Sequence, residues 1–250
     1  MAVYLDHNAT APVRPEALEA ISAALRAGGN PSSIHASGRA ARGRVEDARL
    51  SVATLVGASA ETLVFTGGGT EANALAIESA VASGEVRRLL IGATEHEAVV
   101  NTARATGLPV ETWPVDRRGV AALDWLADRL KAWRPEDGRP FAALMLANNE
   151  TGVIQPVAKA AGLLQTLGGW LHVDAVQAAG KIAVDVAALG ADTLALSAHK
   201  IGGPQGVGVL IYGARARISP RLHGGGQERG LRAGTENVAG IAGFGAAAEA

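Results

Sequence analysis

Two short apolar segments of this sequence each lead to a residue that can take part in chemistry. Residues Trp170–Asp174 (WLHVD) end on an acid, and Thr193–Lys200 (TLALSAHK) end on an amine. If both segments are parallel strands, the carboxylate and the amine lie at the same edge of one sheet. Pyridoxal phosphate (PLP) needs a lysine that forms a Schiff base and a carboxylate that keeps its pyridine nitrogen protonated. The pair therefore predicts a PLP site at Asp174 and Lys200.

A glycine-rich turn supplies a candidate phosphate site. Residues 67–73 (GGGTEAN) follow the apolar run Leu63–Thr66 and open a helical pattern. Glycine lets backbone N–H groups approach an anion, and a helix N-terminus adds about half a positive charge. The spacing differs from the dinucleotide-binding and P-loop fingerprints. An ordinary flexible strand-to-helix turn is the alternative interpretation.

Polar residues at the ends of the other apolar runs complete the candidate site. Ser197 and His199 flank Lys200 as possible phosphate donors, and Gln177 follows Asp174 closely enough to reach a second polar atom of the same ligand. His96 can stack on a flat ring and move protons near neutral pH. Asn149 follows another apolar run. Each of these residues alone has an ordinary alternative as a loop, cap or turn residue, so their joint occurrence carries the hypothesis.

Apolar β-rich runs alternate with helical patterns along most of the chain, which predicts an α/β domain with a mainly parallel, seven-stranded sheet between helices. The predicted strands are Leu63–Thr66, Arg88–Gly92, Pro109–Pro114, Phe141–Ala147, Trp170–Asp174, Thr193–Ser197 and Val207–Tyr212. The predicted helices are Pro15–Ala27, Ala36–Val56, Thr70–Ser83, Ala98–Ala105, Leu123–Trp133 and Val157–Leu167. The arginines of the second helix are interpreted as one solvated face: Arg39, Arg42, Arg44 and Arg49.

The last residues begin like a helix, with Thr235 as a candidate N-cap. No glycine, basic last turn or proline follows them. We therefore expect residues 1–14 to form an N-terminal segment and residues 15–233 to form the cofactor-binding large domain. Residues 234–250 are expected to start the helix that leads to a small C-terminal domain outside this sequence.

Composition narrows the classes of function. The 250 residues carry a formal net charge of −1, which gives no global reason to bind nucleic acid or an anionic membrane. The sequence shows no secretory signal or membrane-spanning run, so we expect a cytoplasmic protein. It contains no cysteine, which excludes disulfides, thiolate metal sites and a thiol nucleophile within these residues. No metal site is expected.

The motifs together resemble the cysteine desulfurases of the NifS/IscS type, in the class V aminotransferase family of fold-type I PLP enzymes. The matching stretches span the sequence, and TEH, NNE and the last stretch are specific to the desulfurase branch. They read YLDHNATAPV, GNPSSIHASGR, FTGGGTEANALAI, TEHEAVV, NNETGVIQP, HVDAVQAAGK, SAHKIGGPQGVG and HGGGQERGLRAGTENV.

The resemblance assigns a role to each candidate residue. Lys200 would carry the cofactor covalently, Asp174 would pair with the pyridine nitrogen, and His96 would stack on the ring and assist proton transfer. Thr235 would reach the phosphate of the other subunit of a homodimer. The remaining roles are hydrogen bonds near the phenolic oxygen, from Asn149 and Gln177, and contacts to the phosphate, from Gly69, Thr70, Ser197 and His199.

The resemblance implies conversion of L-cysteine to L-alanine, with sulfur delivered as a persulfide to an iron–sulfur scaffold or another acceptor. Family members continue into a small domain with the nucleophilic cysteine and the arginine that binds the substrate carboxylate. Arg229 and Arg232 are interpreted as structural or interface residues instead. Two alternatives stay open: another class V enzyme (an aminotransferase or a cysteine or selenocysteine lyase), or a PLP-binding fragment without catalysis.

Overall fold

A single seven-stranded sheet organises the protein, which is described here for residues 3–250 by a computed structural model. The strand order is β1-β7-β6-β5-β4-β2-β3, and β7 runs in the opposite direction to the other six strands. The strands are β1 (Leu63–Thr66), β2 (Leu89–Gly92), β3 (Val110–Trp113), β4 (Phe141–Ala143), β5 (Trp170–Asp174), β6 (Thr193–Ser197) and β7 (Gly208–Tyr212). The predicted α/β class and mainly parallel sheet are confirmed.

Helices cover both faces of the sheet. The helices are α1 (Pro15–Ala27), α2 (Ala36–Leu55), α3 (Gly69–Ala82), α4 (Glu97–Ala105), α5 (Leu123–Lys131), α6 (Val157–Gln165), α7 (Val186–Leu189) and α8 (Val238–Glu249). Helices α3 and α4 pack on one face, whereas α1, α2, α5, α6 and α8 contribute to the core on the other.

Alternate strand residues enter the two cores, as the pleat of a sheet requires. In β5, Leu171 and Val173 point to the core that contains α2 and α8, whereas Trp170 points to the core beneath α3 and α4. His172 and Asp174 share the parity of Trp170. The sheet thereby carries a polar side-chain row from Trp170 to Asp174 beneath α3.

Two local expectations were wrong. The predicted strand Phe141–Ala147 ends at Ala143, although the amides of Leu144 and Leu146 still donate to the carbonyls of His172 and Asp174. Helix α8 begins at Val238, and its N-cap is Asn237, not Thr235. The Asn237 side chain accepts from the Gly240 amide, a cap that asparagine provides readily.

Helix α8 lies against α1 and α2. It packs on them through buried apolar residues such as Ile241 and Phe244. Glycines permit the close approach, because a Cβ at Gly245 would lie 2.6 Å from Cα of Ala48 in α2. Among the helices of residues 3–250, none has the length and apolar character that crossing a bilayer requires.

Candidate functional site

The main cavity opens at the carboxyl ends of β5 and β6 and has a volume of about 640 Å³. The N-terminus of α3 and residues of the N-terminal segment, including Asn8, also border it. Almost all of the predicted site residues line this cavity: Gly69, Thr70, His96, Asn149, Asp174, Gln177, Ser197, His199 and Lys200. The fold therefore brings together residues that the sequence analysis had drawn from separate segments.

The start of α3 forms one end of the cavity. The residue before the helix, Gly68, has a φ of 152° and provides no side-chain cap. Within residues 3–250, the backbone N–H groups of Gly69 and Thr70 have no protein acceptor. A Cβ at position 69 would lie 2.9 Å from Cγ2 of Val176 and 3.4 Å from Cβ of Ser197. Glycine at this position keeps the helix terminus close to the floor of the cavity, as an anion site requires.

Asp174 ends β5 as a buried carboxylate with a hydrogen bond to each oxygen. The Val176 amide donates to Oδ1 at 2.9 Å, and Nδ2 of Asn73 donates to Oδ2 at 2.7 Å. Burial raises the pKa of Asp174, while these two donors and the charges of His96 and Lys200 act to lower it. Within residues 3–250, Asp174 accepts hydrogen bonds from these two neutral donors and has no salt-bridge partner.

Lys200 lies in the 3₁₀ turn that follows β6, with its amine held by the N-terminal segment. Nζ donates to the carbonyl oxygens of Asn8 and Ala9, the latter at 2.8 Å. Burial lowers the pKa of Lys200, and the negative charges of Asp174 and Asp6 oppose that shift. A lowered pKa increases the share of neutral amine, the form that attacks a carbonyl carbon.

A hydrogen-bonded cluster around Asn8 links the cavity walls. Nε2 of Gln177 donates to the Asn8 carbonyl at 2.8 Å, and Nδ2 of Asn8 donates to the Asn149 carbonyl at 2.8 Å. Lys181 donates to both Oδ1 of Asn8 and Oε1 of Gln177. The Lys181 contact fixes the Gln177 amide so that its N–H groups face the N-terminal segment.

Two histidines border the cavity in different states of burial. His96 is exposed and is the N-cap of α4, where its Nδ1 accepts from the Ala98 amide at 3.1 Å. That bond leaves Nε2 as the free ring nitrogen. His199 lies with Nδ1 3.2 Å from Oγ1 of Thr10, and burial together with the charge of Lys200 lowers its pKa.

Thr235 stands apart from the other predicted residues. It lines a second cavity of about 230 Å³, together with Gly67 and Arg232. Arg232 pairs with Glu71 at 2.8 Å, and Arg229 donates to the Glu61 carbonyl at 2.9 Å. Both arginines are thus engaged in contacts within the fold.

Sequence reasoning missed Asn8, Asn73 and Glu95. Burial raises the pKa of Glu95 to about 8, and the nearby charge of Asp174 adds to the shift. One Glu95 oxygen accepts from the Met145 amide, and the other is buried without a partner among residues 3–250. Asn73 was detectable in principle, since it lies one turn inside the helix that the glycine-rich turn opens.

The donor set fits PLP. A lysine amine, a buried carboxylate and a helix terminus with free N–H groups border one cavity, and glycine 69 keeps the helix terminus accessible. These groups suit an aldehyde carbon, a pyridine nitrogen and a phosphate respectively.

Comparison with known proteins assigns the family. The sequence profile of the class-V aminotransferase family matches residues 3–250. The chain belongs to this family.

Relatives within the class-V aminotransferases include cysteine desulfurases. The chain is 42% identical over 253 residues to the cysteine desulfurase IscS of Dictyoglomus turgidum, covering 99% of this chain and 63% of that protein. A solved NifS-like protein superimposes with a TM-score of 0.92 at 38% identity, covering 100% of this chain and 69% of that one. SspA, solved in complex with cysteine, superimposes with a TM-score of 0.91 at 31% identity, over 99% of this chain and 72% of that one. The chain thus spans about 63% of the length of its IscS relative.

Proposed function

We propose that these residues form the PLP-binding part of a cysteine desulfurase, which converts L-cysteine to L-alanine and passes the sulfur on as a persulfide. The observation that carries the proposal is the convergence of Lys200, Asp174 and the open α3 terminus on one cavity. The IscS and NifS-like relatives, which include a protein solved with cysteine, support the choice of reaction and substrate.

The site residues divide the work of holding the cofactor. Lys200 attaches it covalently, and Asp174 binds the pyridine N–H. His96 stacks on the ring through its exposed imidazole. Hydrogen bonds near the phenolic oxygen come from Asn149 and Gln177, and phosphate contacts come from Gly69, Thr70, Ser197 and His199.

PLP, when bound, withdraws electrons from the substrate Cα towards its protonated ring nitrogen. The residues of this chain supply the proton transfers around that step. Lys200 would hold the cofactor and would also take the Cα proton, for which its lowered pKa suits it. His96 carries protons to and from the substrate through Nε2, since Nδ1 is engaged with the α4 amide.

The reaction also needs a cysteine thiolate that accepts sulfur from the substrate. These 250 residues contain no cysteine, so we assign the thiolate that attacks the substrate sulfur to a residue outside them. An iron–sulfur scaffold protein or another acceptor then receives the outer sulfur of that persulfide, and the cysteine returns to its thiol form. We further propose a cytoplasmic homodimer in which Thr235 contacts the phosphate bound by the other protomer. Residues 15–233 would form its large domain, and residues 234–250 would lead to a small one.

Borohydride reduction followed by peptide mass spectrometry tests the cofactor site. Reduction should fix PLP on the peptide that contains Lys200, and Lys200→Ala should lose both the label and the production of alanine from cysteine. Lys159→Ala changes an exposed lysine of α6 and is expected to keep both. A label on another lysine would overturn the Lys200 assignment.

The substrate is tested separately with purified, PLP-loaded protein that has not been reduced. Production of alanine from cysteine without added keto acid supports the desulfurase. A requirement for a keto acid would instead identify an aminotransferase. Retention of PLP without any turnover of cysteine, in protein supplied with a thiol acceptor, would identify a non-catalytic binding fragment.

A further inference from the structure

A chain of buried hydrogen bonds runs beneath the cavity and ends on Asp174. Trp170 Nε1 lies 3.4 Å from Thr193 Oγ1, which lies 2.9 Å from Nδ1 of His172. Nε2 of His172 lies 2.8 Å from Oδ1 of Asn73, whose Nδ2 lies 2.7 Å from Oδ2 of Asp174. All of these side chains are buried.

The fold explains why these residues meet. Trp170, His172 and Asp174 alternate along β5 and therefore point to the same face of the sheet. Thr193 of β6 is the register partner of His172 across the parallel pair. Asn73 lies in α3, which covers this face of the sheet. One row of polar side chains is thus trapped between the sheet and a helix.

The chemistry of Trp170 and Asp174, the two ends of this series of hydrogen bonds, sets the direction in which the bonds are donated. The indole N–H of Trp170 can only donate, and an ionised carboxylate can only accept. With Thr193 donating to Nδ1 and His172 donating from Nε2, the Asn73 amide presents its NH₂ to Asp174. In this direction, each polar hydrogen that points from one of these side chains to the next has an acceptor.

The opposite direction leaves a defect. It requires a protonated Asp174, a reversed Asn73 amide and a proton on Nδ1 of His172. Thr193 would then receive hydrogen bonds from both Trp170 and His172. Within residues 3–250 the Thr193 hydroxyl has no acceptor other than His172, so its hydrogen would remain unpaired in the core, which is costly.

We propose that this chain is a one-way relay of hydrogen bonds in which a neutral His172, protonated at Nε2, orients Asn73 and thereby holds Asp174 as a carboxylate. His172, Thr193 and Trp170 are accordingly positioning residues for Asp174. This inference rests on the proposed function only for its purpose, which is to keep an anion ready for the pyridine nitrogen of PLP. The direction of the chain is a property of the protein alone.

The electrostatic surroundings agree with this arrangement. Burial lowers the pKa of His172 to about 3, so the ring stays neutral at physiological pH. The titratable groups that face Asp174 are Glu95, His96 and Lys200. Glu95, with its pKa raised to about 8, adds no charge at neutral pH, whereas Lys200 and the charged form of His96 favour ionisation of Asp174. The relay adds a neutral donor, Nδ2 of Asn73, to Oδ2 of Asp174, and the hydrogen bonds behind it polarise that donor.

Nitrogen-15 NMR of the histidine rings in the intact protein tests the direction. The His172 signals, assigned by their loss in His172→Gln, should show a neutral ring with its proton on Nε2. Asp174→Asn should reverse the relay, because the new NH₂ group can donate to Asn73 while its oxygen still accepts from Val176. The His172 proton should then move to Nδ1. A wild-type proton on Nδ1, a charged ring, or an unchanged tautomer in folded Asp174→Asn would overturn the proposal.

A second variant covers the case in which Asp174→Asn does not fold. Thr193→Val removes the hydroxyl but leaves Asn73 in place, so His172 should keep its Nε2 proton while Nδ1 shows the shift of an unbonded nitrogen. PLP should dissociate about fivefold more readily, which corresponds to the loss of one hydrogen bond. A proton on Nδ1 in Thr193→Val would leave Nε2 unable to donate to Asn73, so His172 could not orient Asn73 as proposed, and the proposal would fail.

Ser79→Ala is the matched control. Ser79 is a fully buried hydroxyl of α3 that bonds to the backbone of Ser219 and not to the relay. It should change neither the His172 signals nor PLP dissociation. The NMR readout is independent of turnover: if the proposed function fails, cysteine is not converted but the tautomer remains. If the relay fails, the tautomer differs whether or not cysteine is converted.

Discussion

Asp174 and Glu228 are both buried carboxylates, but the protein stabilises them in opposite ways. Glu228 is bound by a cation, because Arg49 donates to its two oxygens at 2.8 and 2.7 Å. Among the residues that the structure describes, the donors to Asp174 are both neutral, namely the Val176 amide and the Asn73 side chain. The charge of Glu228 is therefore neutralised within the fold, whereas that of Asp174 remains available to a ligand in the cavity.

The Glu228 region also contains unusual backbone geometry. Glu228 and Arg229 have φ values of 46° and 57°, the left-handed region that side chains disfavour. Such conformations persist only where the surroundings determine them strongly. Here the ion pair with Arg49 and the hydrogen bond from the Phe65 amide hold the Glu228 side chain in place and so fix the turn. Here the buried charge is used to hold a turn, not to bind a ligand.

Separating the Glu228 pair should have the largest effect on stability. Arg49→Met leaves the Glu228 carboxylate buried without its cation, so the free energy of unfolding should fall by about 3–5 kcal/mol. Urea denaturation measures the change. Arg42→Met, an exposed arginine of the same helix, is the control and should unfold like the wild type. Equal stability of the two variants would show that the pair is dispensable.

A smaller, pH-dependent effect is expected at Glu95. Its pKa is raised by burial from 4.5 to about 8, so between these pH values the folded protein keeps a proton that the unfolded chain has released. The free energy of unfolding should therefore fall as the pH rises through this range. Glu95→Gln carries no titrating group and keeps the acceptor for the Met145 amide, so its stability should depend less on pH. Parallel slopes for variant and wild type would contradict the shift.

The smallest change in stability, with a large change in function, is expected for Asp174→Asn. Because the neutral side chain no longer has a charge to desolvate, the cost of the reversed relay, an unpaired hydrogen on the Thr193 hydroxyl, is partly offset, and the unfolding free energy should change by less than about 1 kcal/mol. Cysteine turnover should fall at least about 100-fold, since the electrostatic partner of the ring nitrogen is gone. Thermal unfolding and an alanine assay measure the two quantities. A large loss of stability would make Asp174 resemble Glu228 and remove the contrast.

The positions of Asp174 and Lys200 were predictable because both lie at or just after the carboxyl end of a strand that is recognisable by its apolar residues. Parallel strands place these ends at the same edge of the sheet. The cavity residues that come from loops, such as His96 and Asn149, followed from the same rule. Their roles remain predictions.

Contacts between distant parts of the sequence were not predictable. Arg49 was expected in a solvated face, but it is only 3% exposed because its partner Glu228 lies 179 residues away. The sequence of α2 itself gives no indication of that partner. His172 belongs to an apolar strand, and its role depends on contacts with α3 and β6, which pack against that strand. The cap of α8 is set by the backbone path before Val238, which Thr235 and Asn237 fit equally well as residue types.

The packing of α8 on α1 and α2 has a consequence for synthesis. The ribosome makes α1 and α2 first, but the helix that covers them is made after every strand of the sheet. Their apolar surfaces therefore stay uncovered while most of the domain is translated, a period in which such surfaces favour misassembly. Helices α1 and α2 are thus made before every strand but covered only after α8 has been made, which extends the time in which their apolar surfaces are open to other partners.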